Sequence, residues 1–159
     1  MKTLIVYASK YGCAADCAGY LRCKLPGDAV LSDINKVDKQ IELKEYDAVV
    51  IGGSVYIGKV SKKLRAFCEN NLDVLKKKRI GLFLCCAQTE QADKFFADNF
   101  LPELISVAKT AKAFGSEARL DKMTFFDKAI IKAVTKGDFS SFKVSFERIE
   151  EFAEEIASL

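Results

Sequence analysis

Three short stretches of this chain hold almost nothing but apolar and β-branched residues: Thr3 to Ala8, Ala48 to Ile51 and Ile80 to Cys85. Each has the length of a strand and lacks an alternating polar face, so each reads as a strand covered on both sides. A sheet of that kind needs helices in front and behind. The intervening segments supply them. Ala14, Cys17, Ala18, Leu21 and Leu25 recur at helical spacing until Pro26-Gly27 stops the pattern. Lys59 to Asn71 brings Val60, Leu64, Phe67 and Cys68 to one side, and Thr89 to Phe100 does the same with Ala92, Phe95, Phe96 and Asn99. Pro102 opens a further turn carrying Leu104, Ile105 and Ala108. Thr124 to Lys136 and Val144 to Ala157 read as closing helices, the last with Phe146, Ile149, Phe152, Ala153 and Ile156 as its inner stripe. Ala29 to Leu31 and Lys112 to Phe114 are shorter strand candidates, and Asp33 to Glu45 is polar, a loop or weak helix. Strands alternating with helices build right-handed βαβ units, so the expected fold is a three-layer α/β sandwich with a five-stranded parallel sheet.

The 159 residues match one ordinary domain, expected to run over 1–159. With no histidine, the chain cannot run a Ser-His or Cys-His nucleophile pair, and it lacks the commonest metal ligand. Its chemistry is expected to be borrowed from a cofactor. Twenty-five basic against 22 acidic residues leave +3, too little to mark a nucleic-acid surface. No apolar run is long enough to span a membrane and the N-terminal stretch does not read as a signal peptide, so a cytoplasmic location is expected. There Cys13, Cys17, Cys23, Cys68, Cys85 and Cys86 would stay reduced. None forms a CxxC pair and no second ligand group completes a metal set, so no metal site is expected and the thiols read as small core residues. Cys13, at a helix start, and Cys86 are the candidates for redox activity.

Ligands of open parallel sheets bind beyond the carboxyl ends of the strands. Three loops qualify here. Ser9-Lys10-Tyr11-Gly12-Cys13-Ala14 joins the first strand to a helix N-terminus, where free N–H groups and the helix dipole favour a phosphate; the plain alternative is a capping Ser9 and a turning Gly12. Gly52-Gly53-Ser54-Val55-Tyr56-Ile57-Gly58 follows the central strand, and its glycines suggest close approach to a flat ligand with Tyr56 as a stacking face, against the alternative of a surface turn. Cys85-Cys86-Ala87-Gln88-Thr89 ends the next strand in small residues that leave room for a ring edge, or that simply pack strand on helix.

These loops follow strands that are neighbours in a doubly wound sheet of order 2-1-3-4-5, and the combination resembles flavodoxins. In that family the first loop holds the phosphate of FMN and the loops after the third and fourth strands flank its ring. The resemblance implies Ser9, Lys10, Tyr11, Gly12, Cys13 and Ala14 around the phosphate. It implies Ser54, Val55, Tyr56, Ile57 and Gly58 over one ring face and Cys86, Ala87 and Gln88 on the other side. The family pattern of hydroxyl, two residues, Gly, one residue, Thr is met at Ser9 and Gly12 and broken at Ala14. Thr3 to Ser9, Val49 to Gly58 and Phe125 to Lys132 are further similar to the flavodoxin-like, oxygen-independent protoporphyrinogen oxidases, which pass electrons through FMN to a quinone. That group carries a long insertion in the fifth-strand region, for which this chain has little excess length between Leu84 and Ala113.

The resemblance thus implies an FMN protein, with quinone-linked dehydrogenation of protoporphyrinogen or a similar planar substrate as the leading activity. A flavodoxin-type electron carrier, working with a redox partner protein, is the competitor, and its strongly acidic habit does not suit a chain at +3. A cofactor-less interaction module is the third reading, for which Ala14 is the support. No residue is assigned as catalytic acid or base; Lys10, Glu90 and Arg119 lie near the expected crevice. Finally, Lys128, Lys132 and Lys136 recur on one helix face with Phe126, Ile130, Ala133 and Val134 opposite. Such a helix, over 124–136, suits peripheral contact with an anionic membrane or an acidic partner, or else packs against the sheet with its lysines in water.

Overall fold

The computed structural model describes residues 1–159. Five strands, β1 (Lys2–Ala8), β2 (Asp28–Asp33), β3 (Ala48–Ser54), β4 (Arg79–Cys85) and β5 (Ala108–Ala113), form one parallel sheet in the order β2-β1-β3-β4-β5. The expected strand order is the one observed. Successive side chains of a strand point to opposite faces, and each of the three apolar runs accordingly feeds two separate cores. Leu4, Val6, Val49, Ile51, Leu82 and Leu84 pack on one face beneath α2 (Lys62–Asn70), α3 (Leu72–Leu75), α4 (Ala92–Asn99) and α5 (Pro102–Val107). Ile5, Val50, Phe83 and Cys85 pack on the other beneath α1 (Cys13–Lys24) and α7 (Phe146–Ala157). A remaining helix, α6 (Phe125–Thr135), joins neither core; Asp127 is its one buried residue.

Two strand glycines make room for aromatic rings. A Cβ on Gly52 would lie 2.3 Å from the Phe83 ring, and one on Gly81 would lie 2.6 Å from Phe152. The rings so admitted form a buried stack: Phe83 and Phe114 lie 5.0 Å apart with 11° between their planes, and Phe152 meets Phe114 edge-on at 5.4 Å. Gly52 and Gly53 are therefore residues of β3, paired with Phe83 and Leu84. Sequence reasoning gave them to a ligand loop; core packing, with Gly53 also close against the Ala8 carbonyl, is the physical reason for them.

The fifth strand also differs from expectation. It runs over Ala108–Ala113 rather than Lys112–Phe114, and Ala108 belongs to it instead of to the preceding helix. Alanines and lysines carry little strand propensity; the open edge of β4 recruits them, with a register irregularity between Ile80 and Gly81. Phe114 extends the pairing by one N–H donated to the Leu84 carbonyl at 2.8 Å. Lysines then mark this outer edge, as at many sheet margins.

Gly52→Ala is expected to destabilise the protein by about 1 to 3 kcal/mol through overpacking against Phe83. Gly19→Ala, inside α1 with nothing within 4 Å of the added methyl, is expected to stabilise it by about 0.5 to 1 kcal/mol. Urea unfolding of the two variants checks the pair, and equal midpoints would contradict the packing assigned to Gly52.

Candidate functional site

Parallel pairing places the ends of β1, β3 and β4 side by side, so the segments that follow them open onto one edge. After β1 the chain turns through Gly12, whose φ of 96° starts α1. Ser9 Oγ accepts the Gly12 N–H at 3.0 Å and closes this turn. No side chain caps the α1 N-terminus, in contrast to α6 and α7, where Thr124 and Ser145 accept from the Asp127 and Arg148 N–H groups. Arg119 covers the turn. Its Nη1 lies 2.6 Å from where a Gly12 Cβ would be and donates to the Tyr11 carbonyl at 3.3 Å, while Nη2 pairs with Asp16 at 2.6 Å and Glu117 at 2.8 Å.

After β3 the chain makes a tight hairpin. Tyr56 and Lys59 exchange backbone hydrogen bonds of 2.8 and 3.1 Å around Ile57 and Gly58, both at positive φ (49° and 72°). Two successive left-handed residues make a type I′ turn. A β-branched residue there is strained, yet Ile57 stands 69% exposed at the edge of the site. Asn99 of α4 fixes this hairpin from below: its amide donates to the Gly58 and Phe95 carbonyls and its oxygen accepts the Val60 N–H. The sequence places Asn99 on a buried helical stripe without a reason for a polar residue there; its full set of partners gives the reason. After β4, Cys86 and Ala87 are buried and narrow the third side, and burial pushes the Cys86 thiol up to about 11.

The three segments and α6 enclose a cavity of about 370 Å³. Lys10, Tyr11 and Cys13 line it from the first segment, Ser54, Val55, Tyr56, Ile57 and Gly58 from the second, and Cys86, Ala87 and Gln88 from the third. Ser9 instead faces an adjoining, more open cavity of about 530 Å³, which it shares with Lys10, Ser54 and Tyr56. Gly12 and Ala14 line neither. Arg119 occupies the approach to Gly12, and the Ala14 side chain is wholly buried in the α1 core, so the missing hydroxyl at 14 takes nothing from the cavity wall.

Sequence reasoning missed the fourth wall. Ile130, Ile131 and Val134 of α6, with Met123 and Phe142, close the cavity from outside the sheet. Phe126 and Ala133 turn outward instead, with Phe125 89% and Phe126 70% exposed. The assignment of Phe126, Ile130, Ala133 and Val134 to one face is thus corrected: the helix rotates so that Ile130 and Ile131 cover the cavity, Val134 touches its rim while standing 69% exposed, and the phenylalanines meet solvent.

Asp127 anchors that rotation. Its carboxylate accepts from the phenols of both Tyr11 and Tyr56 and pairs with Lys10 Nζ at 2.9 Å. The same ammonium stands 3.7 Å from the Tyr56 ring centroid, a cation–π contact. One residue of the cover thereby ties together the loops after β1 and β3. Hydrogen bonds from Tyr11, Tyr56 and Lys10 hold the Asp127 carboxyl well below the ordinary carboxylate range, and the bond to Asp127 pushes the Tyr56 phenol up to about 12. The one sequence signal here was Thr124-x-x-Asp127, a helix-start pattern. It explains the bond of the Asp127 N–H to Thr124 Oγ1 at 3.2 Å but not where the carboxylate goes.

Residues 4–143 match the family model described as "Flavodoxin domain". The chain belongs to the flavodoxin family. Among curated proteins it is similar to the Escherichia coli K12 protein named protoporphyrinogen IX dehydrogenase [quinone], 23% identical over 174 residues that cover 100% of this chain and 96% of the relative. Among solved structures, oxidised flavodoxin 1 from Bacillus cereus superposes with a TM-score of 0.58 at 12% identity, covering 98% of this chain and 97% of that one. The rubredoxin:oxygen oxidoreductase of Desulfovibrio gigas gives 0.62 at 17% identity, and the chain spans about a third (35%) of that larger protein. These likenesses show a flavodoxin fold.

The pH behaviour of the Asp127 knot follows from its two shifts. On the acid side its stabilisation is present above the ordinary carboxylate range and is lost only as pH falls well below it. On the alkaline side it is intact below the usual phenol value of 10.0 and is lost as pH rises through about 12. In Asp127→Asn, Tyr56 is expected to ionise close to 10, read from the phenolate absorbance against a Tyr56→Phe blank. An unmoved titration would mean that the carboxylate does not hold the phenol.

Proposed function

We propose that this flavodoxin family member, acting as one domain over 1–159, binds FMN and works as a redox protein through it. The observation that carries the reading is the convergence of the loops after β1, β3 and β4 on one mainly apolar cavity of about 370 Å³ with Lys10 in its lining. The residues fit the group. Lys10, which lines both cavities, suits a phosphate, and Ser9 and Ser54 add hydroxyls from the adjoining cavity; the uncapped N–H groups of the α1 first turn would join them once Arg119, held over Gly12 by Asp16 and Glu117, moves aside. Tyr56 and Val55 on one side, and Cys86, Ala87 and Gln88 on the other, would hold the ring. Bound FMN supplies the electron transfer; the polypeptide binds it, sets its surroundings and limits access. For that work Ile130 and Ile131 exclude water, while the Asp127 knot fixes Tyr56 and Lys10 beside the ring position.

Of the possible redox roles, quinone-linked dehydrogenation of protoporphyrinogen or a comparable planar substrate is favoured. The similarity to the E. coli dehydrogenase over the whole chain supports it, and so does the outer face of α6. Phe125 and Phe126 stand exposed there beside Lys128, Lys132 and Lys136, the composition of a helix that lies in an anionic lipid interface, where quinones reside. No helix of the chain is long and apolar enough to cross a membrane, so such contact would be peripheral. The second reading is an electron carrier serving a redox partner protein.

The purified protein is expected to be yellow, and FMN at 100 times its dissociation constant is expected to raise the melting temperature by roughly 5 to 11 °C. A colourless protein whose melting point ignores FMN would end the proposal. Anaerobic mixing of the loaded protein with protoporphyrinogen and then a menaquinone analogue tests the substrate. Bleaching followed by recovery of the flavin band favours the dehydrogenase; reduction by a flavodoxin reductase alone favours the carrier.

The lipid contact has its own measurement. Sedimentation with anionic phosphatidylglycerol vesicles is expected for the wild type and lost in the Phe125→Ser/Phe126→Ser double variant. Equal sedimentation of both would remove α6 from the interface.

A further inference from the structure

Outside the roles proposed so far lies a cluster the chain order conceals. Cys13 opens α1, Cys17 follows one turn later, and Cys85 ends β4. Packing of α1 across the end of β4 brings their three sulfur atoms within 4.8 Å of one another. They are 5%, 3% and 1% exposed and all are free thiols. Ordinary core packing asks only that such residues be small and apolar, and Ala14 and Ala18 fill neighbouring places on the same helix face without a sulfur.

We propose that Cys13, Cys17 and Cys85 form a three-thiolate site for a soft, thiophilic cation of low coordination number, monovalent copper. Sulfur atoms bound to one such ion at about 2.3 Å stand about 3.8 to 4.0 Å apart, so the trio needs only a small contraction. The donor set selects the ion. Thiolates favour copper(I), zinc and iron–sulfur clusters, and the last two take four protein ligands in closed structural sites. Here a fourth is missing: the chain contains no histidine, and the nearby Glu117 carboxylate is engaged by Arg119. Copper(I) is content with three.

The surroundings suit the charge and the entry of the ion. Binding transfers the thiol protons to solvent and leaves excess negative charge on the sulfurs. The α1 N-terminus supplies positive potential at Cys13, and the Arg119 guanidinium and Lys122 ammonium lie over the adjoining Gly12. Cys13 also lines the cavity, which gives a path from solvent to the cluster. The site stands on the cysteines alone and does not depend on a flavin.

The test uses the reduced, full-length protein without added flavin, under nitrogen, titrated with copper(I) against a chromogenic copper(I) chelator. Retention of one equivalent is expected, with a copper–thiolate absorbance and three sulfur scatterers by X-ray absorption. Cys17→Ala and Cys13→Ser are each expected to weaken retention by on the order of 100-fold or more, beyond the 10- to 100-fold typical of losing a group that only supports a ligand. Cys23→Ser and Cys68→Ala are expected to retain copper as the wild type does. Far-UV circular dichroism and the chemical-denaturation midpoint of each variant separate lost ligation from lost folding. The Cys17→Ala change, small for small in a packed site, is the variant on which the inference stands if Cys13→Ser does not fold. Failure of the wild type to retain copper, retention unaffected in a folded Cys17→Ala, or four-coordinate zinc held in preference to copper would each overturn the site. Copper retention by a protein that ignores FMN would support the thiolate site while ending the flavin proposal, so the two can fail separately.

Discussion

Everything at the ligand edge depends on the central strands being parallel and covered on both faces. β1, β3 and β4 pair in register with their carboxyl ends side by side, and each sends its odd and even residues into different cores. A strand slipping by one residue would exchange its two faces and, in β4, put Ile80 or Leu82 where Gly81 admits the Phe152 ring, so packing fixes the register. The positions of Ser9, Val55 and Cys86 relative to one another are thus fixed by burial well away from them. The loops themselves carry few of the contacts that put them there.

Burial alone leaves the edge open, and polar chemistry closes it. Asp127 is a buried carboxylate on a helix that has no other buried residue, so the cover is held chiefly by one set of donors rather than by a core of its own. Two phenols and an ammonium from two different loops converge on it. A helix secured this way, with aliphatic residues toward the cavity and phenylalanines toward solvent, combines a water-excluding wall with an outward apolar surface. Both halves of the proposed function draw on that division of faces. On the opposite side of the second loop, Asn99 does similar work without charge, satisfying three backbone groups from beneath the Tyr56 hairpin.

The glycines show how the same sequence feature can serve packing or ligand access, and why only contacts separate them. Gly52 and Gly81 give their space to Phe83 and Phe152, which with Phe114 make the aromatic stack under α1 and α7. Gly12 gives its space to Arg119. Gly58 has nothing near it and serves its turn through its positive φ. Spacing along the chain is alike for a glycine beside a ligand and one beneath a phenylalanine; the difference lies in what another strand or helix puts there.

The sequence by itself determined the three apolar strands and the helices between them, because periodicity and composition are local properties that survive any arrangement of distant parts. The order of the sheet, and hence the edge where the loops after β1, β3 and β4 meet, was implied by the resemblance of its motifs to flavodoxins. The sequence also brought eleven of the fourteen expected cofactor residues to one cavity wall, because a strand's end and the loop after it are neighbours in chain and in space. Tertiary structure alone decided the start of β5, where pairing with β4 overrides weak propensity, and the rotation of α6, which Asp127 sets through partners on two other loops. It likewise decided the meeting of Cys13 and Cys17 with Cys85. Each of these turns on which side chains from far-apart segments come within a few ångströms, and that is set by packing angles that no local pattern records.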